Sequence, residues 1–286
     1  VTGANGFVGR ALCDRLGQEG PVRPLVRREA GDLPGAVAVG DIGARTDWTH
    51  ALSGVDCVVH CAARVHMMQE NAADPLAAYR DVNVAGTKRL AEAAASAGVR
   101  RLVFLSSVKV MGETTRPGQP FRIGDTPRPV DPYGQSKWEA EQTLWTVASQ
   151  TGLEVVVIRP PLVYGPGVRA NFLRLMRAVE RGWPLPLGSV NNRRSMVALD
   201  NLVDLVALCT HHPQAAGLTF FVSDGTDLSS AGLVRSMAAA SGLSPRLWPV
   251  PVWLLRLVGA LAGHRATVAR LVDSLQVDIQ PTRERL

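Results

Sequence analysis

The 286-residue sequence predicts an α/β fold, with a doubly wound parallel sheet and a smaller C-terminal lobe. Short runs rich in β-branched residues alternate with longer segments of helical periodicity, which is typical of a parallel sheet with helices on both faces. The chain also opens on the glycine turn Thr2–Gly9 (TGANGFVG), placed where a first strand would pass into a first helix. These two observations predict the fold class.

The predicted strands are almost entirely apolar, as expected for strands that helices cover on both faces. They are Val22–Val26, Ala36–Val39, Val55–His60, Arg101–Ser106 and Val155–Arg159. Helical periodicity predicts the helices Phe7–Gln18, Pro75–Ala97, Tyr133–Thr151 and Asn171–Arg181. Because Val1 enters the glycine turn directly, we interpret the first residues as the end of a strand.

The regular alternation ends near Tyr164, and helical patterns dominate from Ser229. We therefore predict that residues 1–165 form the sheet domain, to which a segment at roughly 195–225 returns. Residues 166–286 would form mainly the second lobe. A crevice between two such parts is a common place for a ligand.

Composition excludes several classes of protein. The net charge is +6, but the arginines are scattered and no basic stripe is interleaved with aromatics, so we predict no nucleic-acid partner. A basic balance fits an anionic small substrate equally well. The cysteines lack the spacing of metal ligands, so we predict no metal site and interpret them as reduced core thiols of a cytoplasmic protein.

The most apolar stretch is Leu247–Gly263, which contains two prolines and Arg256. It is shorter than the ~20 apolar residues that a transmembrane helix needs, so no transmembrane span is predicted. We interpret this stretch as a buried amphipathic helix. Peripheral contact of residues 250–262 with a lipid surface is the alternative.

The glycine turn is the first candidate site. Such a turn between a strand and a helix directs amide donors and the positive helix end at a pyrophosphate. Gly3 permits the tight turn, Gly6 lets a phosphate approach, and Gly9 lets the helix pack close to the sheet. The turn thus predicts a dinucleotide site with these contacts: Gly3, Asn5, Gly6, Phe7, Val8 and Gly9.

The second predicted strand ends in Arg27 and Arg28, with no acid until Glu29. An acid at this place binds the adenosine ribose of NAD, whereas arginine accommodates the 2′-phosphate of NADP. We therefore predict NADP(H) rather than NAD(H). The ends of the next two strands should also lie beside the dinucleotide, with Asp41 and Ile42 at the adenine and Cys61, Ala62 and Ala63 further along.

Tyr133 and Lys137 form the candidate catalytic pair, with Ser107 upstream at the end of an apolar run. Residues four apart share one helix face. Free tyrosine has a pKa of about 10, and a neighbouring ammonium favours the phenolate, so the pair can move protons near neutral pH. Lys137 can also hold the nicotinamide ribose, and Ser107 can hydrogen-bond the substrate oxygen. Together with the glycine turn, they predict hydride and proton transfer at one carbinol carbon.

These motifs, together with Arg159–Gly167 (RPPLVYGPG), resemble the extended short-chain dehydrogenase/reductase family. Within it, the chain is similar to the nucleotide-sugar epimerase/dehydratase branch. The resemblance implies a Rossmann-type domain, a C-terminal lobe for a UDP-sugar, and catalysis by Ser107, Tyr133 and Lys137 at sugar C4. It also places Pro160 and Val163 near the nicotinamide and implies a homodimer formed through two long helices.

On the substrate side, the resemblance carries over only to matching positions. It implies that Asn171 approaches the sugar diphosphate, that Leu187 packs on the nucleotide base, and that Arg194 contacts the diphosphate. Ser107 and Lys109 would lie beside the sugar. A guanidinium suits phosphate oxygens well because it donates two parallel hydrogen bonds.

One departure from the family pattern reduces the number of reactions that the resemblance allows. Related 4,6-dehydratases have Asp-Glu after the catalytic Ser or Thr, whereas this chain has Val108 and Lys109, so dehydration is not expected. The segment resembles UDP-sugar 4-keto-6-deoxy reductases of surface-polysaccharide biosynthesis, such as those that form UDP-N-acetylquinovosamine. We therefore predict a 4-ketoreductase. The alternatives are a UDP-glucose or UDP-N-acetylglucosamine 4-epimerase with tightly bound NAD and, more remotely, a non-catalytic dinucleotide sensor.

Overall fold

The computed structural model describes residues 1–29, 33–65 and 74–286. Its main sheet is parallel, and Thr2 lies within it, paired with both Leu25 and His60. The strands are β1 Leu25–Val26, β2 Val37–Ala38, β3 Cys57–His60, β4 Arg101–Leu105, β5 Glu154–Arg159, β6 Leu162–Tyr164, β7 Met196–Ala198 and β8 Thr219–Phe221. The order across the main sheet is β2–β1–Thr2–β3–β4–β5–β8.

This arrangement confirms the predicted α/β fold with a Rossmann-type sheet, although several strands are shorter than expected. The strand predicted at Val22–Val26 is only Leu25–Val26 in the structure. On the side of Thr2, this strand has a single bridge, between Thr2 and Leu25. Conversely, β5 begins one residue early, because the Glu154 amide donates to the Arg100 carbonyl (N···O 3.0 Å).

Helices cover both faces of the sheet. On one face, Leu12 of the first helix packs with Leu202 and Val206. On the other, Leu90 and Leu144 pack with the aliphatic side chains of the central strands. The helices are α1 Phe7–Leu16, α2 Thr49–Leu52, α3 Pro75–Arg80, α4 Gly86–Ser96, α5 Pro132–Thr151, α6 Ala170–Glu180, α7 Leu199–His211, α8 Ser230–Ala240, α9 Val252–Leu261, α10 Arg265–Val272 and α11 Gln280–Arg285.

The predicted helix Pro75–Ala97 contains a π-helical segment, Asp81–Ala85, between α3 and α4. Such a segment inserts an extra residue into the helical turn and often marks a functional site. It directs Asn83 inward, where the Asn83 amide donates to the Ser136 hydroxyl (2.9 Å) and to the Arg64 carbonyl (3.0 Å). Asn83 thereby ties the loop after β3 to the helix that carries Tyr133.

The later part of the chain both completes the sheet and adds further packing. β8 pairs with β5, and α7 packs on α1. α6, α8 and α10 contribute Val179, Val234 and Val272 to a separate apolar core. Among the described helices, none combines the length and hydropathy that crossing a membrane would require.

His60 at the end of β3 is buried without charge. Its Nδ1 lies 2.7 Å from the Thr2 hydroxyl and its Nε2 lies 3.0 Å from the Thr87 hydroxyl. Burial, reinforced by the positive charge of Lys137, lowers the pKa of His60 to about 3. The side chain is therefore held as the neutral imidazole in the folded protein.

The neutral state of the buried His60 predicts that the folded protein becomes less stable as the pH falls. The unfolded chain binds a proton at His60 near pH 6.5, whereas the folded chain does not until about pH 3. The free energy of unfolding should therefore fall by about 1.6 kcal/mol as the pH drops from 6.5 to 5, because the slope approaches about 1.4 kcal/mol per pH unit only well below pH 6.5. Denaturant unfolding at both pH values measures the change.

His60→Gln should have lower stability at neutral pH but should remove most of this pH dependence. The exposed residue His50 provides the matched control, and His50→Gln should keep the wild-type slope. An unchanged slope in His60→Gln would show that another group is responsible.

Candidate active site

Two cavities meet at the carboxyl ends of the strands. The first, of about 980 Å³, lies above the glycine turn. The second, of about 650 Å³, extends toward α6, α8 and α10. Four residues line both cavities: Ser107, Tyr133, Pro161 and Val163. A reacting group at this junction would therefore touch molecules bound on either side.

The glycine turn has the space and backbone that a bound pyrophosphate needs. Gly3 has a φ of 65°, a left-handed conformation that favours glycine. A Cβ atom added to Gly9 would lie only 2.2 Å from the Gly3 carbonyl oxygen, so a side chain there would break the contact between turn and helix. The turn leads into the N-terminus of α1, which lines the first cavity. These residues fit a dinucleotide.

The structure places nearly all the predicted dinucleotide contacts around the first cavity. They are Gly3, Asn5, Gly6, Phe7, Val8, Gly9, Arg27, Asp41, Ile42, Cys61, Ala62, Ala63, Tyr133, Lys137, Pro160 and Val163. Arg28 is the exception, because it is exposed and does not line the cavity. Both arginines lie in the bend that follows β1, and only Arg27 reaches the cavity.

Arg27 has a partner that the sequence did not reveal. Its Nε lies 3.0 Å from the Asp41 carboxylate, and both side chains are exposed at the rim of the first cavity. Parallel pairing of β1 with β2 brings the two strand ends together. The place predicted for a 2′-phosphate therefore carries a carboxylate as well as a guanidinium.

Tyr133 lies in the first turn of α5. Asp131 caps this helix by accepting from the Gly134 amide (2.7 Å), and Pro132 occupies the first turn, where it costs no hydrogen bond. Ser107 follows β4, and its hydroxyl caps the short 3₁₀-helix Val108–Val110. The strand end and the helix start bring Ser107 and Tyr133 together where the two cavities meet.

Burial shifts the pKa values of both Tyr133 and Lys137. It raises the pKa of Tyr133 well above the usual value, with a further increase from the Asp131 carboxylate, while the Ser107 hydrogen bond lowers it. The expectation that the Lys137 ammonium favours the phenolate stays a prediction, and burial acts against it. Burial also lowers the pKa of Lys137 to about 8.

Lys137 is anchored from the sheet side. Its Nζ donates to the Leu105 carbonyl (2.8 Å) and lies 4.4 Å from the centre of the Phe104 ring. The side chain is buried but still lines the first cavity. Its ammonium group is thus held in one place before any ligand arrives.

A buried ion pair lies one helical turn below Lys137. The Glu141 carboxylate pairs with the Arg159 guanidinium (2.5 Å from Nη2) and also accepts from the Ser106 hydroxyl. Trp138 packs on the same guanidinium, with its ring centre 5.7 Å away. This pair joins α5 to β5 directly behind the catalytic residues.

The second cavity contains a group of cations. The cations Lys109 and Arg194 line it together with the neutral Asn171, all three at positions that the resemblance implied for the substrate side. Burial lowers the pKa of Arg194, and the nearby charge of Arg270 contributes in the same direction. Cations that are held close together despite their repulsion favour binding of an anionic group.

Leu187 differs from its expected position beside the nucleotide base. It is buried against Val179 and Val190 in the core of the C-terminal lobe and does not line the second cavity. The neighbouring Gly188 amide donates to the Trp248 carbonyl (2.9 Å), which holds this segment against the lobe.

Some cavity residues were missed from the sequence. Arg174 lines the second cavity beside Asn171. Asn171 lies three residues before Arg174 on the same face of α6, so helical spacing could have indicated Arg174 from the sequence. Arg270 approaches from α10, about 100 positions along the chain from α6, and no local pattern marks it. Asp81 reaches the first cavity through the π-helical segment, which the sequence did not predict.

Comparison with known proteins agrees with this arrangement. A model of the NAD dependent epimerase/dehydratase family matches residues 1–220. UDP-glucose 4-epimerase from Vibrio cholerae is 48% identical over 290 residues, covering 100% of this chain and 88% of that protein. A second relative, from Escherichia coli O157:H7, is N-acetyl-alpha-D-glucosaminyl-diphospho-ditrans,octacis-undecaprenol 4-epimerase. It is 30% identical over 245 residues, covering 83% of this chain and 70% of that protein.

A solved structure has the same fold over nearly the whole chain. MoeE5 in complex with UDP-glucose and NAD superposes with a TM-score of 0.74 and 27% identity, covering 99% of this chain and 90% of that one. The sequence match and the shared fold agree with the resemblance that the motifs indicated. The chain therefore belongs to the NAD-dependent epimerase/dehydratase family, as an NAD enzyme of the nucleotide-sugar type.

Proposed function

We propose that the protein interconverts two UDP-hexoses that differ in configuration at C4, with NAD as its cofactor. The observation that carries this proposal is the position of Ser107 and Tyr133 at the junction of the two cavities. A sugar in the second cavity can present its C4 hydroxyl to Tyr133 while the dinucleotide occupies the first.

The chain's own residues supply the proton chemistry. A bound nicotinamide would supply the reversible acceptor for the hydride of the C4–H bond. Ser107 would hydrogen-bond the sugar O4, and Tyr133 must be in its phenolate form to take the O4 proton as the C4 ketone forms. The sugar then presents its other face, the C4–H and O–H bonds form again, and no electrons are consumed overall.

Two groups of residues would position the reactants. We assign Lys137 to the nicotinamide ribose, because its ammonium is already anchored by the Leu105 carbonyl. Arg194 and Arg270 would bind the diphosphate, since a guanidinium fork matches phosphate oxygens. Lys109 would lie nearer the sugar, where it pairs with Asp131 and Glu113.

Epimerisation is better supported than the 4-ketoreductase activity favoured by the sequence. The argument for a consumed NADPH rested on Arg27 and Arg28, but Arg28 lies outside the cavity and Arg27 pairs with Asp41. The 48% identical relative from Vibrio cholerae is also named a UDP-glucose 4-epimerase. Both observations favour a cofactor that is regenerated in each cycle.

The direct test uses purified protein with a catalytic amount of NAD and either UDP-glucose or UDP-galactose. Chromatography should show that both reactions reach the same mixture without net formation of NADH. The N-acetylated substrates are assayed in parallel. Stoichiometric oxidation of NADPH with a UDP-4-keto-6-deoxy sugar, without epimerisation, would instead establish the reductase.

The Arg27–Asp41 pair predicts cofactor preference. NAD should bind more tightly than NADP, because the Asp41 carboxylate repels a 2′-phosphate. Asp41→Asn should reduce this preference by about tenfold, since it removes the repulsion and leaves Arg27 in place. Titration of both dinucleotides by calorimetry measures the ratio.

The matched control is Asp204→Asn, which removes an exposed carboxylate on α7 that pairs with Arg15. Its NAD-to-NADP ratio should equal that of the wild type. Tighter binding of NADP than NAD by the wild-type protein would overturn the assignment.

A further inference from the structure

One side of the C-terminal lobe exposes large apolar side chains, which we call the α9 face. It consists of Trp183, Trp248, Trp253, Leu257, Val258 and Leu261. The exposure is extensive, at 66% for Trp253 and 81% for Leu261. Most of the strongly exposed large apolar side chains in the described part of the chain belong to this face.

Backbone pairing makes the α9 face continuous. The Leu185 amide donates to the Arg246 carbonyl (2.8 Å), and the Trp248 amide donates to the Leu185 carbonyl (2.9 Å). These bonds hold the segment containing Trp183 beside the segment containing Trp248. The chain then runs from Trp248 straight into α9.

The helix α9 is apolar on its outer side as well as its inner side. Val252 and Leu255 pack on the core of the lobe. Trp253, Leu257 and Leu261 follow one another at intervals of four residues and so share the exposed side. A surface helix of a soluble monomer normally carries charged residues there, and an exposed apolar patch of this kind marks an interaction site.

The charges around the face identify the partner. From Leu228 to Val272 the chain carries five arginines and no aspartate or glutamate, although Arg256 pairs with Asp273 and Arg270 lines the second cavity. Arg246 and Arg265 are exposed, and the Arg181 guanidinium lies 5.8 Å from the centre of the Trp183 ring. Tryptophan and arginine around an apolar surface are characteristic of contact with the headgroups of an anionic bilayer.

A second copy of the chain fits this face less well. A two-fold dimer brings the same surface patch of both subunits together. Here it would place the arginine-rich rims against each other, and like charges in contact oppose association. An anionic lipid surface satisfies both the apolar side chains and the cations.

We propose that the α9 face docks on the surface of a bilayer containing anionic phospholipids. With ten residues, α9 is about 15 Å long and would lie in the plane of the interface. The second cavity lies close to the α9 face. Helix α10 packs against α9 through Val268 and Gly259. The same helix contributes Thr267, Arg270 and Leu271 to the lining of the second cavity. Docking would thus hold the substrate cavity one helix away from the lipid.

Flotation of the full chain with vesicles tests this proposal without reference to its activity. The wild-type protein should float with vesicles of phosphatidylcholine and phosphatidylglycerol. It should bind pure phosphatidylcholine more weakly, and salt should weaken binding to the anionic vesicles. The double variant Trp253→Ser/Leu257→Ser should bind at least about tenfold more weakly, because it removes two apolar side chains from the interface.

Val130→Ser is the matched control, because Val130 is 67% exposed, lines neither cavity and is not part of the α9 face. It should bind vesicles like the wild type. A second variant, Arg246→Gln/Arg265→Gln, leaves every apolar residue in place and should weaken binding to anionic vesicles about tenfold. This variant tests the proposal even where the first double variant fails to fold.

Two results would overturn the proposal. One is that the wild-type protein fails to float with anionic vesicles. The other is concentration-dependent self-association without lipid that Trp253→Ser/Leu257→Ser abolishes, which would show that a second copy covers the face. Flotation lost in both double variants and kept in Val130→Ser would support docking.

Discussion

A Tyr133→Phe variant should lose about 10²–10⁴-fold in kcat for interconversion of the UDP-hexoses. The change removes only the phenolic oxygen of a residue that lines both cavities together with Ser107. Without it, no group at that position can exchange a proton with the sugar O4. The affinity for NAD should change little, because the glycine turn and Lys137 are intact. Steady-state kinetics and NAD titration measure the two quantities separately.

Tyr79→Phe is the matched control. The Tyr79 ring packs edge-on against that of Tyr133, with 6.2 Å between ring centres, and its hydroxyl donates to the Val65 carbonyl (3.1 Å). This variant removes the same atom from an adjacent tyrosine that lines neither cavity. Its kcat should stay within a few-fold of the wild type. Equal losses in both variants would point to disturbed packing, and full activity in Tyr133→Phe would refute the assignment.

A Glu141→Gln variant should lower the free energy of unfolding by about 3–5 kcal/mol. Glutamine has nearly the same shape, so the packing of α5 is preserved. The Arg159 guanidinium, however, would remain buried beside Trp138 without its counter-charge. A buried charge without a partner is costly, and little of that cost can be relieved by water. Denaturant unfolding followed by circular dichroism measures the loss.

Glu139→Gln is the control on the same helix. Glu139 pairs with Arg80 across the protein surface (2.6 Å), where water screens both charges. The same chemical change should therefore alter the free energy of unfolding far less than it does at Glu141. Similar effects in the two variants would show that the carboxylate at position 141 is not specifically stabilised by its burial with Arg159.

Local sequence patterns accounted for the fold class and for much of the site. The glycine spacing near the N-terminus needs only one strand–helix turn to place its residues around the first cavity. Tyr133 and Lys137 share a helix face because of their spacing alone. Parallel strands then bring their carboxyl ends, with Ser107 and Asp41, to one edge of the sheet.

Contacts between distant elements could not be predicted in this way. The Glu141–Arg159 pair joins a helix to a strand, and the Arg27–Asp41 pair depends on how two loops leave adjacent strands. The position of Leu187 in the lobe core also depends on the segment ending at Trp248, which pairs with it. For this reason no local pattern could show that Arg27 pairs with Asp41 or that Leu187 lies in the lobe core.

The sequence by itself determined that this chain forms a doubly wound sheet with a dinucleotide turn and a Tyr–Lys pair, because each of these depends on short-range spacing. The tertiary structure alone decided how strongly those groups are buried. The pKa of Tyr133 is raised and that of Lys137 lowered because the surrounding protein removes them from water. Burial depends on every element that packs around a group, and no local pattern contains that information.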